Sequence, residues 1–321
     1  MSDTPQVEPV PQDTRTLTTD KVATTPPPVK RPKEAKPASL WGDAWHDLRR
    51  RPMFIISLVL IAVLLVMSFW PSLFTSIDPF SARTCELATA RQGPSVGHLF
   101  GRDNQGCDVY ARTIYGARNS IVIGVTTTLI TAIVGGLLGL IAGTRGGMVD
   151  TVTSRITEIF FAIPSILGAL LITATFRDKD LGIWIVVIAL SILAWPMTFR
   201  IMRAAVITAR SQDFVTAARA LGAGQGRIMF RHLLPNALAP VIVIATINLG
   251  GFIAAEAALS FLGVGVQSPD ISWGLMIADA RNRFLEAPLP LVFPAVFLSI
   301  TVLAFIMLGD AVRDALDPKL R

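Results

Sequence analysis

Few residues in this chain have the types and spacing for covalent chemistry. Gly93-Pro94-Ser95-Val96-Gly97 fits the G-x-S-x-G pattern of a serine nucleophile. That motif works only on a tight strand-to-helix turn with a histidine supplied by the fold, and here it lies in a polar, proline-containing stretch with no β run before it. His46, His98 and His232 fall on separate segments and build no H-E-x-x-H helix. No catalytic residue is therefore assigned, and a membrane hydrolase is disfavoured. No metal site is assigned either, because Cys85 and Cys107 have only His98 near them and zinc needs more ligands. No lysine follows a glycine, so a G-x-x-x-x-G-K-[ST] phosphate loop is absent and ATP must be handled by another chain.

The stretch 213–235, DFVTAARALGAGQGRIMFRHLLP, points instead to binding. It is polar and arginine-bearing, yet it sits between two runs apolar enough for a membrane. Ser211 is placed to cap a helix whose first turn carries Asp213, and Gly222 supplies a positive-φ stop beyond Leu221. Ala217 and Ala218 leave the helix surface thin, and with Gly222 they let it lie close in a groove. A second short helix then runs to Pro235. Arg219, Arg227 and Arg231 can reach an acidic rim around such a groove, which makes this a docking element. The plainer reading is a loop whose arginines simply follow the positive-inside rule.

The elements that position this stretch are membrane helices. The chain of 321 residues is 52% hydrophobic and only 16% charged, a balance soluble domains seldom show. Runs free of Asp, Glu, Lys and Arg occupy 53–70, 119–144, 159–176, 181–199, 233–255 and 287–309. Each is about long enough to cross roughly 30 Å of hydrocarbon. Six spans put both termini on one side, and 20 of the 29 Lys and Arg fall there, so the termini and the 213–235 loop are expected to be cytoplasmic. The basic residues gather at helix ends instead of forming one aromatic-interleaved face, which argues against nucleic-acid binding despite the net charge of +6.

These assignments divide the chain. Residues 1–40, rich in Pro, Thr and Lys, read as a disordered cytoplasmic tail. Residues 41–74 hold an interfacial segment with Trp41 and Trp45, followed by a retained first span. Residues 75–117 are extracytoplasmic, 118–310 carry five further helices with a cytoplasmic loop at 204–235, and 311–321 form a C-terminal tail. Both cysteines fall in the extracytoplasmic segment, where a disulfide is permitted and would remove entropy worth on the order of 3 kcal/mol from the unlinked segment.

Several membrane positions break the apolar pattern. Gly135, Gly139 and Gly143 recur every four residues and are expected to allow close helix packing, a glycine-lined solute path being the other reading. Arg155 and Glu158 are one turn apart at the start of the third span and are expected to pair. Glu256, near the outer end of the fifth, is a candidate for the translocation path, with ordinary solvation at a boundary as the alternative. Pro164, Pro196 and Pro240 should kink or interrupt spans three to five.

The spacing of Ala217, Ala218, Gly222, Leu234 and Pro235 resembles the EAA loop of ABC importer permeases. Thr216 departs from it where the family usually has glutamate, and His232 where it often has isoleucine. The resemblance extends from about residue 41 to the end and is most similar to the C-type permease subunit of dipeptide and oligopeptide importers. It rests also on His98 to Asp108 with Tyr115 to Arg118, on Glu256 to Gly263 with Gly265, Pro269, Ser272, Trp273 and Gly274, and on Gly309-Asp310 with Arg313 to Pro318. Cys107 stands where the family usually has arginine. The resemblance implies an all-α membrane protein of six transmembrane helices with the type I permease fold and cytoplasmic coupling helices, in a bacterial inner membrane. It further implies a second homologous permease subunit, two ATP-binding subunits that hold ATP and Mg, and an extracytoplasmic substrate-binding protein. Peptides are the implied substrates, with nickel or another small solute as the alternative. A proton-coupled carrier using Glu158 or Glu256 fits less well, since no internal repeat is seen.

Overall fold

The computed structural model describes Gly42, Trp45 and residues 48–316 except 82, 83 and 180. The tail expected at 1–40, Trp41 and residues 317–321 lie outside the described residues. The described residues are helical, with isolated β-bridges Ser95–His98 and Arg102–Asp108.

Helix α1 spans Pro52–Phe69, and its proline occupies a first-turn position whose N–H no helix needs. Helix α2 spans Val109–Arg145 and begins where the Asp108 carboxylate accepts the Ala111 N–H at 2.6 Å. At 37 residues it is about 55 Å long, so it stands well clear of the hydrocarbon. It starts ten residues before the apolar run that marks the second span, because Asp108 fixes its origin.

The third span differs from the single apolar run 159–176. It consists of α3 (Gly147–Ala162) and α4 (Ser165–Thr175), bent by 84° across the break. Pro164 is the cause: it lacks an N–H, and Ile163 before it takes an extended conformation at φ −87°, ψ 120°. Pro196 and Pro240, by contrast, stay inside continuous helices α5 (Trp184–Arg210) and, further on, α7 (Leu234–Phe261). Between these two lies α6 (Asp213–Ala220), and a π-helical turn at Ile228–Leu233 leads into α7. The connection between α5 and α7 begins later than residue 204, since α5 continues to Arg210. A short α8 (Trp273–Ala280) and the last helix α9 (Leu289–Leu316) complete the order. Helix α9 runs into the stretch expected as a tail, where Ala311 and Ala315 pack with Leu48 and Phe54 and Asp314 pairs with Arg51 at 2.9 Å.

Counting α3 and α4 together as one span, the described residues hold six units long and apolar enough to cross a membrane. The bundle is organised around α2. A β-carbon at Gly135 would stand 2.5 Å from the Trp195 carbonyl oxygen, one at Gly139 2.6 Å from that of Phe199, and one at Gly143 2.9 Å from the Val206 side chain. Helix α5 therefore lies against the glycine stripe of α2 with no room for a side chain between them.

Candidate functional site

The loop between α5 and α7 is held from beneath and bare above. Val215 and Ala218 are buried, and Val215 joins a core of Leu140, Met202, Val206, Ile228 and Leu233 from α2, α5 and the π-helical turn. Thr216, Ala217, Arg219, Leu221, Arg227, Arg231 and Pro235 are exposed, as is Asp213 in the first turn. The two alanines therefore do not share one thin outer face. Adjacent helical positions lie about 100° apart. Ala218 faces the bundle and Ala217 the outside.

The cap of α6 also differs from the sequence reading. Gln212 is the N-cap residue and makes no side-chain cap, while the Ser211 hydroxyl donates to the Thr208 carbonyl at 2.9 Å and so closes α5. The other end matches the expected stop. Gly222 has φ +79°, its N–H donates to Arg219 O at 2.9 Å, and the Ala223 N–H donates to Ala218 O at 3.0 Å, the paired bonds of a Schellman ending. This ending presents Leu221 at 89% exposure, and Phe214 and Phe230 of the same loop are also exposed.

The acids and cations of the membrane ends are sorted by pairing. Arg155 and Glu158 form an exposed ion pair at 2.7 Å. Arg203 grips Asp150 with two nitrogens, one at 2.6 Å, tying α5 to α3 at the loop end of the bundle. The sequence reading missed this pair, since its members are far apart in the chain.

Glu256 is buried completely, with Oε1 accepting from Ser260 and Ser272 at 2.8 Å each and Oε2 accepting from Ser120 at 3.1 Å. In this conformation it belongs to a packed interior. Ser260, one helical turn beyond it, was legible as a partner; Ser120 on α2 and Ser272 before α8 were not.

A cleft of about 200 Å³ lies instead beside the α3–α4 break, lined by Ser165, Ile166, Leu193, Asn248, Gly251 and Phe252. Asn248 and Ser165 supply its polar atoms. Irregular backbone at membrane depth is tolerated only against protein or a wet cavity, so the break and the cleft belong together.

In the segment between α1 and α2, Cys85 and Cys107 are joined, with sulfurs 2.01 Å apart. Asp103 organises the turn before α2, accepting from Gln105 N at 2.8 Å and Cys107 N at 2.9 Å and pairing with buried Arg112. Asp279 of α8 shares a cavity of about 160 Å³ with them. Partial burial holds its pKa above the ordinary carboxylate range; Arg112 opposes this and Asp103 adds to it. His98 has both ring nitrogens engaged, by Asp108 at 2.6 Å and Arg102 at 2.7 Å, and Ser95 meets it only through backbone bonds. Among the described residues no group of three His, Cys, Asp or Glu side chains could hold a metal ion.

Comparison with known proteins agrees with this arrangement. A family model described as binding-protein-dependent transport system inner membrane component matches residues 135–321, and one described as the N-terminal TM domain of oligopeptide transport permease C matches 39–94. The oligopeptide transport system permease protein OppC of Bacillus subtilis (strain 168) is 37% identical over 89% of this chain and 92% of its own length. The dipeptide transport system permease protein DppC of Alkalihalophilus pseudofirmus is 39% identical over 92% and 96%. The glutathione transport system permease protein GsiD of Escherichia coli O1:K1 / APEC is 36% identical over 88% and 91%.

Proposed function

The chain belongs to the family of inner membrane components of binding-protein-dependent transport systems, and on that premise we propose that it is one of two permease subunits of an ATP-driven importer of short peptides. Its fold is that of a type I importer permease. The observation that carries the coupling role is the α6 loop, anchored by Val215 and Ala218 and presenting exposed Leu221, Ala217 and three arginines outward. Leu221, Phe214 and Phe230 are all exposed on this short polar loop, which supports its being a surface for a partner. That partner is the pair of ATP-binding subunits, which hold ATP and Mg, since this chain has no lysine after a glycine.

The remaining parts follow from the same reading. The gathering of positive charge supports a cytoplasmic position for both termini and the α6 loop, with the disulfide segment and α8 then facing outward, toward a substrate-binding protein. A second permease subunit covers the α3–α4 break and closes the path beside Asn248. Closure of the ATPases against the loop rocks the spans and turns the site from outside to inside. The peptide class rests on the OppC and DppC relatives, and the glutathione permease relative keeps it to short, peptide-like solutes.

Reconstitution tests this. Proteoliposomes with both permeases, the ATPases and the binding protein take up peptide when given ATP, and this chain alone neither hydrolyses ATP nor admits peptide. Uptake by the single chain, or uptake that follows a proton gradient with ATP clamped, would overturn the reading.

A further inference from the structure

Glu256 is the buried acid that the docking and rocking steps leave unused. A carboxyl group inside an apolar bundle is costly unless its oxygens are satisfied. Here three serine hydroxyls satisfy it, from α2, α7 and the N-cap position of α8. Each serine is used twice. While its proton goes to Glu256, its oxygen accepts a backbone N–H: Ser120 from Trp273 at 3.3 Å, Ser260 from Val266 at 3.0 Å and Ser272 from Leu275 at 3.2 Å. All three of those N–H groups belong to the segment 262–287 that joins α7 to α9 and contains α8.

The same segment approaches the bundle too closely for side chains. A β-carbon at Gly274 would stand 2.5 Å from the Ala257 α-carbon, and one at Gly116 3.3 Å from the Ile271 side chain. Trp273 is fully buried between them, its indole N–H donating to Thr113 O at 2.9 Å. One carboxyl thus sits where α2, α7 and the connecting segment converge.

We propose that Glu256 is a positioning residue, the pin that holds segment 262–287 onto α2 and α7 so that the outer mouth of this subunit moves as one rigid body during transport. Its consequence for uptake rests on the importer reading above. The pin acts as a cluster of hydrogen-bond acceptors. Glutamine can reproduce most of it, because one amide oxygen can serve Ser260 and Ser272 while the amide nitrogen donates to the Ser120 oxygen.

The test uses the assembled complex in liposomes and reads amide hydrogen exchange together with uptake. Glu256→Ala should speed exchange at Val266, Trp273 and Leu275 by about tenfold or more and leave residues 147–175 unchanged. Uptake should fall by about tenfold while ATP hydrolysis continues, and Glu256→Gln should bring both readouts back to within about twofold. Should the alanine variant not assemble, Ser120→Ala gives the same answer by releasing Trp273 selectively. Unchanged exchange at these amides in either truncation overturns the pin. So does a glutamine variant as loose as alanine, which would mean that charge and not acceptor geometry matters. Exchange is read whether or not peptide is carried, so absence of wild-type uptake would overturn the importer reading alone.

Discussion

At the end of the bundle that carries the disulfide segment polar side chains turn inward and satisfy one another, whereas at the α6 loop they turn outward. Glu256 and its three serines are buried, Asp103 pairs with buried Arg112, and a disulfide closes the neighbouring segment. The loop has no such network: α6 lacks a side-chain cap, two residues anchor it, and Leu221 stands in the open. A buried polar network whose members satisfy one another describes a part held together within one subunit. Exposed apolar side chains on a thinly held helix describe a part that is completed by another chain. One end of this molecule is built for rigidity and the other for contact.

The largest expected effect comes from separating the two ends along the helix that links them. Gly139→Leu forces a side chain against the Phe199 carbonyl and the following turn of α5, which is backbone that cannot rotate away. A cost of about 3 kcal/mol or more is expected, seen as loss of assembled complex in detergent gel filtration. A properly assembled Gly139→Leu protein would show that the α2–α5 contact is looser than drawn.

Next come changes to the contact end alone. Leu221→Asp removes an exposed side chain and should leave the thermal stability of the chain within about 0.5 kcal/mol, yet cut ATP-driven uptake by about tenfold. Gly222→Leu meets no atom within 4 Å, so its cost is the left-handed backbone at φ +79°, about 1–2 kcal/mol, and it too should abolish uptake by turning α6 out of place. Ala217→Arg should do the same by bulk. Wild-type uptake from all three at normal expression would end the docking assignment.

The outer segment should respond to reduction but not to docking variants. Cys85 and Cys107 should resist a membrane-impermeant maleimide on intact cells until a reductant is added, and replacing both with serine should loosen that segment by roughly 3 kcal/mol. Ready labelling before reduction would show free thiols there.

The smallest effect is expected at Asp279. Its folded pKa is raised, so the folded state binds the proton more tightly than the unfolded chain and ionisation at neutral pH opposes folding. Asp279→Asn should therefore add a little stability at neutral pH, under about 0.5 kcal/mol because water screens the group. That gain should vanish as pH falls below the unfolded-state pKa, where both states carry the proton. A loss of stability at neutral pH would show that attraction to Arg112 outweighs desolvation.

Much of the contact end was legible in the chain because its signals are local. An arginine-bearing insert between two apolar runs, a glycine where the helix must stop and a four-residue glycine repeat are read within a turn or two of helix. The errors were also local in kind. Ser211 was given the α6 cap because serine favours that role, but its hydroxyl closes α5; Ala217 and Ala218 were grouped because they are adjacent, although a helix sends adjacent residues to different faces. The start of α2 at Val109 and the 84° break after Ala162 were set by Asp108 and Pro164, which interrupt or extend a helix regardless of where the apolar run ends.

By itself the sequence determined the number of apolar runs long enough for membrane passage, the side on which positive charge gathers, the place of the polar loop before the fifth run and the glycine face of α2. All of these depend on residue type and on spacing shorter than one helix. Only the tertiary structure decided that Glu256 is enclosed by its own subunit, that Asp150 answers Arg203, and that the open cleft lies beside Asn248. The bonds of Glu256 to Ser272 and Ser120 and the Asp150–Arg203 pair join residues between 16 and 136 positions apart. The reason is physical: a buried hydrogen bond depends on which helix faces which, and that is fixed by the packing of the whole bundle and not by the pattern along any one of its helices.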